Sequence, residues 1–117
     1  MNNLIYLNEK EGSIILKYSN GIMIQSFKIL KKDLIKHNNS NEAATFNFPE
    51  KFKDHNIFLS YTTYYAGSSI GYIQLSWFDN TRGILYVNEG TDSLSFYEES
   101  NYNTMYGIYI IAIGRWK

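Results

Sequence analysis

"MYGIYIIAIGRWK" (105–117) closes the chain, and from Met105 to Gly114 only two glycines and two tyrosines interrupt an apolar run. As a strand, with side chains alternating between faces, it turns Tyr106, Ile108, Ile110 and Ala112 one way and Tyr109, Ile111 and Ile113 the other. A strand that is apolar on both faces is expected to be covered on both. One face serves a core. A second internal layer is hard to supply in 117 residues, so a subunit interface is the economical cover for the other. The alternative is that the long 28–42 segment folds over it. The run is about half of the ~20 residues that a helix needs to cross a bilayer, so it is not read as a membrane span.

Working outward from this run, the chain is a series of short β-like stretches punctuated by Gly, Asn, Asp and Ser. "SIILKY" (13–18) and "IMIQSFKI" (22–29), joined by Ser19-Asn20-Gly21, read as a hairpin. "ATFNFPEKF" (44–52) carries the single proline after its strand, where a missing N–H is tolerable. "NIFLSYTTYY" (56–65), "ILYVN" (84–88) and "SLSFYE" (93–98) continue the series. "GYIQLSWF" (71–78) alternates cleanly and predicts Ile73, Leu75 and Trp77 on one buried face. "KILKKDLIKHNNSNE" (28–42) is read as an irregular loop with at most one turn of helix. The fold class is therefore all-β, an antiparallel β-sandwich or barrel, in a single domain over 1–117, with residues 1–11 as the remnant of an upstream linker.

Composition narrows the function. Aromatic residues make up 17% of the chain and include 11 tyrosines, a composition suited to strands and to recognition surfaces. With no cysteine there is no disulfide, thiol nucleophile or cysteine-held zinc. Eleven basic residues balance eleven acidic ones, without the basic excess of a nucleic-acid binder. "MNNLIYLNEKEG" has no basic stretch followed by a long apolar core, so no signal peptide is read there.

"SNGIMIQ" (19–25), "FNFPEKF" (46–52) and "YIIAIGRWK" (109–117), in this order and with the last at the chain's end, resemble the C-terminal domain of bacteriophage tail-fibre proteins. The resemblance spans roughly 12–115. It departs at Ser26-Phe27, where the family often has Trp-Gly, and in the longer, more basic 28–42 segment. It implies a β-sandwich assembled as a homotrimer at the distal tip of a fibre, a virion component touching the host cell surface. It also implies Gly21 and Gly114 at tight backbone positions, with Ile22, Ile24, Phe46, Phe48, Phe52, Ile111 and Ile113 as packing positions.

No catalytic constellation stands out. His37 and His55 are isolated, and a metal would need three convergent ligands, which only a symmetry axis could gather. Asp79, Glu89, Asp92, Glu98 and Glu99 sit near turns, where carboxylates are common anyway, and nothing marks a glycosidase pair. No cofactor is expected. Aromatic and amide side chains at strand ends are the better lead, because sugars present apolar C–H faces ringed by hydroxyls. The candidate glycan-binding residues are Tyr64, Asn80, Tyr102 and Asn103, with Trp77 assigned to the core. Lys28, Lys31, Lys32 and Lys36 are read as a solvated face rather than a site for an anionic polymer. Three functions remain: a non-catalytic adhesin for a bacterial surface polysaccharide, a structural trimerisation cap, and a glycan-cleaving tip. The expected partners are further copies of the chain and the polysaccharide, with no nucleic acid and no membrane insertion.

Overall fold

The computed structural model describes residues 3–10, 12–30, 33–37, 43–67, 72–88 and 103–117. Their regular structure is entirely β. The strands are β1 (Leu4–Lys10), β2 (Ser13–Tyr18), β3 (Ile22–Leu30), β4 (Ile35–Lys36), β5 (Ala43–Asn47), β6 (Phe58–Gly67), β7 (Tyr72–Phe78), β8 (Arg82–Asn88) and β9 (Asn103–Arg115). They form two antiparallel sheets: a five-stranded one in the order β1-β2-β3-β9-β6 and a four-stranded one in the order β4-β5-β8-β7. The predicted hairpin is β2–β3. Its turn places Gly21 at φ +93°, a left-handed conformation that favours glycine, and the Ile22 amide donates to Asn20 Oδ1 at 3.1 Å.

The terminal run is β9, the fourth strand of the larger sheet, paired with β3 from Gly107 to Arg115 and with β6 over nearly its whole length. Its alternation is as expected: Ile108, Ile110 and Ala112 are buried. They pack with Met23 and Phe27 of β3, Phe46 of β5 and Leu85 of β8 between the sheets. Phe46, Phe48 and Phe52 stack edge-on in succession, with ring centroids 5.6 and 5.1 Å apart.

The opposite face of β9 is open. Tyr109, Ile111 and Ile113 retain 44%, 49% and 37% of their accessible surface. Ile111 and Ile113, expected as packing positions, therefore point away from this chain's core. The register extends the open face sideways. Leu7 lies opposite Leu16, Leu16 opposite Ile24, Ile24 opposite Ile113, and Ile113 opposite Phe58, an apolar row crossing all five strands. Phe58 is 71% exposed.

Two segments differ from their sequence reading. Residues 4–10, assigned to a linker remnant, form β1, which pairs with β2 from Leu4↔Tyr18 to Lys10↔Ser13. Within 28–42, read as a loop, residues 28–30 complete β3 and Ile35–Lys36 form β4 against Thr45 and Ala44. Leu34 is buried in the core, so this part of the segment joins the smaller sheet instead of covering the outer face of β9. The expected strand over 93–98 and the orientation of the Tyr106 side chain lie outside the described residues.

Candidate functional site

The three stretches that carry the resemblance meet at one end of the sandwich. Gln25, fully buried on β3, donates from Nε2 to the Glu50 carbonyl (2.6 Å) and accepts the Glu50 amide at Oε1 (3.1 Å). One primary amide thus fixes the Phe48–Phe52 crossing in place of a backbone ladder. Gly114 lies directly beneath Phe52: a Cβ there would come within 2.7 Å of the Phe52 ring. The Lys53 amide donates to the Arg115 carbonyl (2.7 Å), and the Trp116 amide to the Gly21 carbonyl (2.9 Å). Arg115 Nη2 reaches the Asn20 carbonyl at 2.8 Å, locking the β2–β3 turn onto the C-terminal strand.

At the rim of this end Lys17 forms an ion pair with Glu50. Its ammonium stands 4.8 Å from the Tyr6 ring centroid and 5.5 Å from that of Trp116, whose Nε1 donates to the Tyr18 carbonyl at 3.0 Å. No buried side-chain nitrogen or oxygen of the described residues lacks a hydrogen-bond partner, and no group of three metal-ligating side chains occurs among them. The chemistry of this end is that of a clamp.

The β7–β8 turn adjoins the clamp. Asp79 Oδ1 accepts the amides of Thr81 (2.7 Å) and Arg82 (2.9 Å). The Thr81 amide and then the Arg82 amide hold its carboxyl below the usual carboxylate range, against a weak opposing effect of burial. Asn80 Nδ2 donates to the Phe52 carbonyl (3.2 Å), and the Phe52 amide returns to the Asn80 carbonyl (2.9 Å).

The glycan candidates are not gathered at one place within a single chain. Asn80 sits at the clamp end, beside Phe52 and Gly114. Asn103 begins β9 opposite Gly67, and Tyr64 lies opposite Gly107, both towards the other end. Gly114 lies eleven positions beyond Asn103 along β9, about 36 Å at the usual strand rise. Tyr64 and Asn103 therefore share one end and Asn80 the other. Tyr102 lies outside the described residues, as do the carboxylates Glu89, Asp92, Glu98 and Glu99 and the ammonium groups of Lys31 and Lys32.

Trp77 corrects the sequence reading. Leu75 pairs with Leu85 but Trp77 with Ile84, so Ser76 is an extra residue, a β-bulge, on β7. The bulge breaks the alternation on which the core assignment rested. Leu75 packs on the core, while Trp77 is turned out, 46% exposed. Nothing in the pattern "YIQLSWF" signals the bulge.

No family model matches the chain, and no curated protein matches it at a significant level. Among solved structures, the fold is similar to that of an N-truncated R2-type pyocin tail fibre, with a TM-score of 0.55 over 97% of this chain at 11% identity. The chain spans 39% of that fibre's length. Its architecture is that of a tail-fibre-like β-sandwich.

Proposed function

We propose that the chain is a phage or phage-tail-like fibre domain, assembled as a homotrimer and acting as a non-catalytic adhesin for a bacterial surface polysaccharide. The observation that carries this reading is the tail-fibre-like fold over almost the whole chain. The apolar row across the larger sheet supports the assembly part, because a continuous exposed apolar patch marks an interaction surface. Weak binding at each of three equivalent sites would be raised by avidity on a repetitive polymer. On this reading the protein is a virion component. On the same reading it is a non-catalytic protein; two of its described carboxylates, Asp79 and Glu50, are engaged by turn amides and by Lys17.

The test is binding of the labelled full chain to a panel of bacterial strains before and after periodate oxidation of surface sugars. Binding to a subset of strains that is lost after oxidation is the expected result. Assembly into trimers with no cell binding across the panel would overturn the adhesin reading in favour of a structural cap. Release of oligosaccharide from bound cells would overturn the non-catalytic part.

A further inference from the structure

The outer faces of the two sheets differ in the rows that cross them. On the larger sheet the row from Leu7 to Phe58 carries no polar side chain. On the smaller sheet the register aligns Trp77 with Ile84, Ile84 with Thr45, and Thr45 with Ile35. This row crosses all four strands, about 14 Å at the usual strand spacing. Next to it Arg82 pairs with Asn47, and both side chains are exposed. A hollow of about 250 Å³ near Ile35 is shared between the sheets, lined by Ser13, Phe27 and Ile29 of the larger sheet and by Phe46 and Asn47 of the smaller, and so is not part of this outer face.

We infer that this face of the smaller sheet is a saccharide-binding platform on which Trp77 is the stacking residue. The inference rests on the adhesin reading above and names a site for it. A flat indole and the branched Ile84 and Ile35 side chains suit the apolar C–H faces of pyranose rings. A guanidinium, an amide and a hydroxyl, from Arg82, Asn47 and Thr45 on the adjacent strands β8 and β5, suit the hydroxyls around those rings. The Arg82 guanidinium makes no hydrogen bond or ion pair among the described residues, although its charge is felt at Asp79, so its donors are available to a ligand oxygen. Asp79 fixes the turn by accepting the Arg82 amide, which sets where β8 begins. The Ser76 bulge aims the indole outward; without it the same residue would fall on the core side.

A protein partner is the competing occupant, and the face argues against it. Among the residues of this face whose side chains are described, the large aromatic is Trp77, which stands on the edge strand next to exposed Ser76 and Arg82, whereas protein interfaces concentrate aromatic residues at a dry centre.

The experiment measures binding of the full chain and its variants to polysaccharide extracted from strains the chain binds, by titration of tryptophan fluorescence and by cell binding. Trp77→Ala should weaken binding by about tenfold or more, and Trp77→Phe should retain most of it. Arg82→Ala should weaken it several-fold, while Trp77→Ala leaves solution mass and thermal midpoint unchanged because the side chain is exposed. If the parent chain binds polysaccharide and Trp77→Ala binds equally well, this site is wrong while the adhesin reading stands. If the parent chain binds no polysaccharide from any strain, both fail. A Trp77→Ala variant that loses its assembly would show that the face is occupied by protein and would overturn the inference.

Discussion

Gln25 shows how much of this fold depends on one side chain. Its amide satisfies both backbone polar groups of Glu50 inside the protein, and so ties β3 to the Phe48–Phe52 crossing. Gln25→Leu keeps approximate size but leaves the Glu50 N–H and C=O unpaired. The expected loss is roughly 2–4 kcal/mol, read as a lower urea midpoint with an unchanged slope. Asp79 gives a pH-dependent counterpart. Its folded carboxyl titrates below the ordinary value of about 3.9, so its stabilisation is fully present above that pH. It fades as pH falls through the lower folded value. Thermal melts should therefore show a constant deficit for Asp79→Ala between pH 5 and 7 that shrinks below about pH 4; a deficit independent of pH down to 2 would contradict the assignment. At this scale the sequence was partly legible. Gly21 and Gly114 were expected at tight positions, and the structure gives each a cause: a left-handed turn, and a phenyl ring lying on the backbone. The tie between Gln25 and Glu50 was not legible, because two residues 25 apart in sequence share no local pattern.

Strand β9 carries two different jobs on its two faces. Ile110 is 1% exposed and sealed between the sheets, whereas its neighbour Ile111 is 49% exposed. Ile110→Ala should cost about 2–5 kcal/mol in unfolding experiments, the range for a truncated core aliphatic. Ile111→Lys should change the stability of a single chain little and should abolish self-association, seen as a drop in solution mass. The opposite ranking would mean that the register of β9 is shifted by one residue. Most strands, including β9, were readable because period-two alternation is a direct consequence of pleating. Where that period breaks, the reading failed. The Ser76 bulge sent Trp77 outward and is invisible to an alternation rule. Strands β1 and β4 were missed for another reason. "LIYLNEK" and "IK" lie at sheet edges, where one neighbour and partial burial leave a weak pattern.

As a whole the molecule is an elongated sandwich, 52 × 24 × 19 Å, with two unlike outer faces. The larger sheet exposes a row of apolar side chains from Leu7 to Phe58 that a monomer in water would leave uncovered. The smaller sheet exposes a mixed surface around Trp77, Arg82 and Asn47. A trimer that buries the first and displays the second three times would join assembly and recognition in one short chain. The all-β class and the doubly apolar last strand were legible because they rest on composition and alternation alone. Which residues share an end of the molecule was not: Asn80 and Asn103 sit near similar turn signals in sequence, and about 36 Å of β9 lies between their positions.

The assembly claim is tested most directly by the solution mass of the purified full chain, measured by light scattering behind a sizing column. A homotrimer gives three times the 13.7 kDa of one chain, falling to one chain's mass in Ile111→Lys. A parent chain that stays at 13.7 kDa at concentrations of tens of micromolar would contradict it.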